Sequence, residues 1–214
     1  MLRIAKFTFY MFGINTYVVF DPEEKEAAII DPGMSRPEEF DAMEKFIARE
    51  DLKITHLINT HLHIDHAIAD SWVSDKYGVP VEGHADDRTL GLILAQQAQR
   101  FGIKGVDLRV EIGHELCDGD IVKIGRGSLK VLHVPGHSQG SIALYDEADR
   151  FVIVGDTLFE GSIGRTDLMG GNHRQLVDAI KNKLLTLPRD TMVYSGHGDP
   201  TTIGREADSN PYLV

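Results

Sequence analysis

Apolar and polar positions follow two different periods along the chain, and the changes between them mark the elements. Met1-Leu2-Arg3-Ile4-Ala5-Lys6-Phe7 alternates as a strand does. Thr16-Tyr17-Val18-Val19-Phe20 and Ala27-Ala28-Ile29-Ile30 are β-rich runs split by a polar turn at Asp21-Pro22-Glu23-Glu24, and Asp31-Pro32-Gly33 ends the second. The period then lengthens. Phe40, Met43, Phe46 and Ile47 recur at helical spacing through to about Glu50, with Ser35 in the N-cap region and Pro37 near the first turn. Ile54-Thr55-His56-Leu57-Ile58 reads as a buried strand. A helix is expected from Ala67 to Tyr77, closed by Gly78, then a short strand at Val79-Pro80-Val81. The longest helix is expected from Asp86 to about Arg100, with Leu90, Ile93, Leu94 and Ala98 on one face.

Beyond Gly105 the texture changes to short strands and glycine turns. Strands are expected at Ile121 to Ile124, Leu129 to Val134, Ile142 to Tyr145 and Phe151 to Val154. A glycine-rich loop, Gly161 to Gly171, leads to a helix from His173 to Leu185, with Asn172 and Gln175 set as a capping box. Met192-Val193-Tyr194 is a last strand, and a short helix follows from Thr202. Each half reads as strands followed by helices with no linker between, so one domain over 1–214 is expected, two sheets stacked inside helical outer layers.

The residues after the strand at Ile54 to Ile58 carry the chemistry. His61, His63, Asp65 and His66 fall within six positions of one loop. A loop at a strand end can aim consecutive side chains at one point, whereas a strand sends them to alternate faces. Imidazole and carboxylate together suit zinc, iron or manganese better than calcium or magnesium. Three later strands end the same way: Pro135-Gly136-His137-Ser138, Gly155-Asp156-Thr157 and Ser195-Gly196-His197-Gly198 each place one ligand-type residue beside glycine.

The set His61-x-His63-x-Asp65-His66 with His137, Asp156 and His197 resembles the metallo-β-lactamase superfamily over most of the chain. The resemblance implies an α+β fold, a four-layer αββα sandwich with mixed sheets and the metal site along one sheet edge. It implies two divalent ions, zinc before iron or manganese. His61, His63 and His137 would bind one, Asp65, His66 and His197 the second, and Asp156 would bridge. Gly155-Asp156-Thr157-Leu158-Phe159, Gly164-Arg165-Thr166-Asp167 and the closing Asn210-Pro211-Tyr212-Leu213 are similar to the short glyoxalase II-like (hydroxyacylglutathione hydrolase-like) subgroup. Two departures stand out. Gly136-His137-Ser138-Gln139-Gly140 replaces a Gly-His-Thr-Pro-Gly turn, and the chain stops before the basic helical extension with which longer glyoxalase II enzymes hold glutathione.

The implied activity is hydrolysis of a small acyl thioester such as S-lactoylglutathione, because a water shared by two divalent ions loses its proton near neutral pH. Asp65 and Asp156 are the expected catalytic residues, Asp65 also orienting the hydroxide. Lactones and β-lactams ask for the same activated water. A rival class is the iron oxygenase, since the Gly164 to Asp167 segment also resembles persulfide dioxygenases, where His61, His137 and Asp156 would form a facial triad. A metal-binding protein without catalysis is a third.

Charge and composition remove other classes. A net charge of -11 argues against a nucleic acid partner. No run nears the ~18 apolar residues of a membrane helix, and the N-terminus lacks a signal-peptide layout. With the single cysteine, Cys117, this fits a reducing cytoplasm; Cys117 itself is expected to be a small packed thiol. Among the remaining residues, His84 is a candidate for the pocket rim and substrate contact. Arg165 is a candidate for an anionic substrate group or an ion pair with Asp167. His56 reads as a satisfied core histidine and His133 as packing or support. His114 and His173 read as solvated, as do Asp86 and Asp87 on a helix face. Phe9, Tyr10, Met11, Phe12 and Ile14 read as core or pocket wall.

Overall fold

In the computed structural model, which describes residues 1–103, 108 and 110–213, the runs at Asn15–Phe20 and Glu26–Ile30 are strands buried on both faces, while the first strand, Arg3–Thr8, is partly exposed. Strands β1 (Arg3–Thr8), β2 (Asn15–Phe20), β3 (Glu26–Ile30), β4 (Lys53–Ile58), β5 (Val81–Gly83) and β6 (Ile112–Glu115) form one sheet in that order. Its first two pairings are antiparallel and the next three parallel. The second half supplies β7 (Ile121–Ile124), β8 (Gly127–His133), β9 (Ile142–Asp146) and β10 (Phe151–Gly155). After a small hairpin of β11 (Leu158–Phe159) and β12 (Ser162–Ile163) come β13 (Met192–Ser195) and β14 (Thr201–Thr202). The second sheet runs β14-β13-β10-β9-β8-β7, mixed because β10 and β13 are parallel.

Alternation sorts side chains between layers. Tyr17, Val19, Ala28 and Ile30 face the other sheet, meeting Ile124, Leu129, Ile142, Leu144 and Ile153. Their neighbours Val18, Phe20, Ala27 and Ile29 face outward onto helices α1 (Pro37–Glu50) and α3 (Asp70–Tyr77) through Met43, Ile47 and Val73. On the far side Val152, Val154 and Val193 pack on helix α6 (His173–Ala179) and helix α7 (Ile203–Ser209) through Leu176 and Ile203. The result is the expected αββα sandwich. No helix of the described residues is long and apolar enough to cross a membrane.

Local chemistry moved some boundaries. α1 starts with Pro37 at its first position, and Glu39 reaches back to the backbone N–H groups of Ser35 and Arg36 at 2.8 and 3.1 Å. The expected strand at Val79 to Val81 shifts to Val81–Gly83, since Pro80 has no N–H for the ladder. The expected Ala67 to Tyr77 helix divides: one turn, α2 (Ile64–Ala67), begins early enough to carry Asp65 and His66, and α3 follows. The expected Asp86 to Arg100 helix is likewise not continuous. A 3₁₀ turn at Ala85–Asp87 leads into α4 (Arg88–Leu92) and α5 (Leu94–Arg100), separated at Ile93, whose φ of -102 and ψ of 5 leave the helical range. The longest helix is therefore α1. The helix after Asn172 passes into a π-helical turn at Ile180–Leu184. β12 lies inside the glycine-rich stretch expected to be a loop, and β6 and β11 are strands to which the sequence pattern assigns no element. Gly105, where the texture changes, lies outside the described residues.

Candidate metal centre

β4 ends at Ile58, and the chain turns over one edge of the sandwich. Three other strands deliver their ends to the same edge. The β4 end is tied to β9 by Ile142 N–H donating to Thr60 O at 2.8 Å. The ends of β2 and β13 meet where Asn15 N–H donates to Gly196 O at 2.7 Å, and Gly196 N–H donates to Gly155 O at 2.8 Å. Glycine is required at 196: a Cβ there would lie 2.3 Å from Asp156 Oδ1 and 2.6 Å from His66 Cε1.

All seven residues singled out by the sequence converge here. His63 Nδ1 is 2.9 Å from His137 Nε2, which is 3.2 Å from His61 Nε2. Three nitrogens that close leave no arrangement of protons that satisfies them all. Beside them, His197 Nε2 lies 3.1 Å from Asp65 Oδ2, and His66 Nε2 lies 3.8 Å from the same oxygen. Asp156 stands between the two sets, 3.7 Å from His137, 3.6 Å from His197 and 3.3 Å from His66. The groups His61/His63/His137 and Asp65/His66/His197 each offer atoms within 4.8 Å of one another, as does His61/His66/Asp156.

Buried His66 Nε2 and Asp156 Oδ1 have no hydrogen-bond partner among the described residues, despite their 3.3 Å approach. Orphaned buried polar atoms are costly and need an explanation. Nitrogen and carboxylate donors aimed at a common point fit a divalent transition metal.

The far sides of His66, His137 and His197 are held. Asp31, in the left-handed region at φ 52, accepts from Thr60 N and Oγ1 at 2.7 Å each and places Oδ2 2.9 Å from His66 Nδ1. His137 Nδ1 donates to Arg165 O at 2.8 Å, and His197 Nδ1 donates to Gly13 O at 3.3 Å. Such contacts fix the tautomer and aim the inner nitrogen.

Electrostatics separate the two sets. Burial drives His61 well below the usual imidazole value, with His66 and His137 adding to it. Burial likewise, then His137, brings His63 down to about 4. Burial would also depress His66, but Asp31, Asp156 and Asp65 carry it well above the ordinary value. His197 rises for the same reason, burial opposing and Asp65 and Asp156 prevailing. Burial pushes the Asp65 and Asp156 carboxyls up, and the surrounding histidines, His66 foremost, hold both below the ordinary range.

A cleft of about 580 Å³ opens over the centre. His63, Asp65, His137, Asp156 and His197 form its floor, with Arg165 at its wall. Arg165 also makes the expected pair with Asp167, Nε to Oδ1 and Nη2 to Oδ2 at 2.8 Å each.

His84 lies elsewhere. It stacks on His133 with centroids 4.0 Å apart and an interplanar angle of 7°, near Asp86 Oδ2 at 3.6 Å, and does not line the cleft. The aromatic stripe divides: Phe9 and Ile14 are core, Phe12 lines the cleft, and Tyr10 is exposed beneath the Arg36 guanidinium. His56 is satisfied by Glu82 and Lys123 O. His114 is mostly exposed but touches Glu82. Cys117 is exposed rather than packed, because Leu116 takes the inward position.

Two residues that carry the site went unassigned in the sequence. Asp31 was read only as a strand terminator. Asp87, read as part of a solvated face, is buried and accepts from Leu62 N, Ser138 Oγ and Gly140 N at 3.0, 2.8 and 2.7 Å. It thereby ties the His61–His63 segment to the His137 turn. An acidic residue inside Asp31-Pro32-Gly33 was the available signal for the first; nothing in Asp86-Asp87 distinguishes its two members.

A four-layer αββα sandwich with clustered histidines and aspartates at one sheet edge defines a metallo-hydrolase. The chain belongs to the metallo-beta-lactamase superfamily, whose family model matches residues 10–197. Hydroxyacylglutathione hydrolase GloC of Haemophilus influenzae is 37% identical over 203 residues, spanning 94% of this chain and 93% of that protein. Among solved structures, BLEG-1 B3 metallo-beta-lactamase is 35% identical with a TM-score of 0.87, covering 100% of both chains. TTHA1623 in a di-iron-bound form is 34% identical with a TM-score of 0.86, covering 98% of this chain and 100% of that one.

Proposed function

We propose that the chain is a binuclear metal hydrolase acting on an acyl thioester, S-lactoylglutathione or a related small one. The observation that carries this reading is the shared carboxylate, Asp156, which reaches His137 of one set and His66 and His197 of the other within 3.7 Å. His61, His63 and His137 would hold one divalent ion, Asp65, His66 and His197 the second, and Asp156 both, with zinc the expected metal. Bound there, such ions supply Lewis acidity and lower the pKa of a water from ~16 towards about 7.

The chain's own residues prepare that chemistry. The depressed pKa values of His61 and His63 keep both rings unprotonated at neutral pH, with lone pairs free to donate. Asp31, Arg165 O and Gly13 O orient His66, His137 and His197 from behind. Asp65 and Asp156 stay ionised, so they offset cationic charge and can accept a hydrogen bond from a water on the floor. Likeness to a hydroxyacylglutathione hydrolase supports the thioester; likeness to a B3 metallo-beta-lactamase keeps other small carbonyl substrates, lactones included, in the same scheme.

A second reading, a persulfide dioxygenase-like oxidoreductase with one iron, is favoured by one feature. His61, His137 and Asp156 supply two imidazoles and a carboxylate, with His137 Nε2 3.2 Å from His61 and 3.7 Å from Asp156. Elemental analysis combined with two assays separates the readings. Two metals per chain with thiol release from a thioester supports the hydrolase. One iron with sulfite formed from a persulfide overturns it.

A further inference from the structure

Above its floor of histidines and aspartates the cleft is walled mostly by apolar side chains, and one wall is the helical stretch from Ile93 to Phe101. Leu90, Leu94 and Ala98 recur every fourth residue and anchor α4 and α5 on Leu62, Ile64 and Ala67. A second stripe runs beside that anchor on α5 and its two cap residues. Ile93, Gln97, Arg100 and Phe101, spaced i, i+4, i+7 and i+8, all line the cleft. Gln97 is held in place, its Oε1 accepting from Ile64 N–H at 3.2 Å. Phe12 crosses over from the β1–β2 turn, its ring edge-on to Phe101 at 5.3 Å. Leu168 and Met169 close the opposite side.

Four of these apolar residues remain substantially open to solvent: Phe12 at 42%, Phe101 at 57%, Leu168 at 38% and Met169 at 52%. Large apolar side chains gathered round a concave site are there to cover something apolar. Two cations share the wall. Arg165 is already paired with Asp167. Arg100 is exposed and has no ion pair among the described residues, in a chain of net charge -11.

We infer that the cleft selects acyl thioesters that combine an extended apolar acyl chain with an anionic group on the thiol portion. The acyl chain lies on Ile93, Phe101, Phe12, Leu168 and Met169, and Arg100 takes the anion. This rests on the thioesterase reading for the reaction, but the recognition itself is a matter of binding and can be measured without turnover.

The test pairs hydrolysis with equilibrium binding. Thioesters of acetyl, butanoyl and hexanoyl groups are made on two thiols, anionic 3-mercaptopropionate and neutral N-acetylcysteamine, and the matching non-hydrolysable thioethers are titrated calorimetrically into metal-loaded protein. Affinity and kcat/KM should rise about three-fold per methylene until the cleft is filled. The anionic series should be favoured about five-fold at low salt, less at high salt. Arg100→Gln should erase that preference and Arg100→Lys should keep most of it, while Phe101→Ala should flatten the chain-length dependence. Hydrolysis with no dependence on chain length or thiol charge overturns the inference and leaves the thioesterase reading standing. Graded, charge-dependent thioether binding without thioester hydrolysis does the reverse. Neither binding nor hydrolysis overturns both.

Discussion

The Asp31 carboxylate stands 2.9 Å from Nδ1 of His66, and both side chains are sealed from solvent. A buried anion behind a ring nitrogen fixes which nitrogen carries the proton and raises the basicity of the other. Asp31→Asn keeps the shape, and Asn tolerates the left-handed backbone at φ 52. It removes the charge. The expected result is a 10–100-fold weaker hold on one of two metal ions, read by competition with a chromophoric chelator. Unchanged affinity for both ions would sink the assignment of His66 as a ligand supported by Asp31.

Asp87 gives the second prediction. Its two oxygens accept three hydrogen bonds from Leu62, Ser138 and Gly140. An amide in its place must turn a donor toward a backbone N–H, so Asp87→Asn should lose about 2–3 kcal/mol of stability. For a chain of this size that lowers Tm by roughly 5–10 °C, measured by far-UV circular dichroism. A shift within a degree or two would mean that the His61–His63 segment and the His137 turn are held together by other contacts.

These two aspartates mark where the sequence stopped being legible. Side chains that alternate between two cores, such as Tyr17 and Val18, announce their strands through a period of two. The seven clustered residues announce themselves by chemical type at strand ends. Asp31 and Asp87 carry no such period; their worth lies in backbone N–H groups 25 to 53 positions distant, which only the folded chain brings within reach. The break at Ile93 was hidden for a related reason. Leu90, Leu94 and Ala98 keep helical spacing straight across it, so the anchor stripe reads as one helix while the backbone is two.

Metal uptake should release protons. His66 and His197 sit above the ordinary imidazole value because Asp31, Asp65 and Asp156 surround them, so a cation bound there competes with a proton on each ring. His61 and His63 are depressed and have none to lose. Affinity for metal should therefore climb as pH rises through the elevated values of His66 and His197. Calorimetric titration in buffers of differing ionisation enthalpy measures the protons directly. Net release of none at pH 7 would show that these two rings are neutral before metal arrives.

A separate pH effect belongs to stability. His56 on β4 donates Nδ1–H to Glu82 Oε1 at 2.6 Å and Nε2–H to Lys123 O on β7 at 3.0 Å. Both partners are acceptors, so both nitrogens are satisfied only in the imidazolium, and the hydrogen bond to Glu82 raises the pKa against the effect of burial. A raised folded value means that the folded chain binds the proton more tightly than the unfolded one. The contribution is then fully present below ~6.5, the unfolded value, and is lost as pH rises through the folded value. Denaturant unfolding of the wild type and His56→Gln should differ most below pH ~6.5 and converge as pH rises through the raised folded value of His56. A gap that widens with pH would reverse the sign and show the ring neutral in the fold.

Asp156 carries the last and most demanding prediction, because its carboxylate lies within 3.7 Å of side chains from both sets. In Asp156→Asn one oxygen becomes an NH₂ group, which can only donate, so one set loses an acceptor and the space between the sets loses a charge. Two ions then face each other with less to separate them. The expected outcome is one metal per chain instead of two, and thioester hydrolysis down by 10²–10³-fold or more. The fold should survive, since Asp156 Oδ1 has no hydrogen-bond partner among the described residues and its charge acts on the facing histidines of the centre, His66 foremost. Elemental analysis, circular dichroism and a thiol-release assay on one preparation distinguish the cases. Loss of activity with two metals retained would make Asp156 important for the water rather than for the metals. Full activity with two metals verified would remove the shared carboxylate from the chemistry, and with it the reason for treating the two sets as one centre.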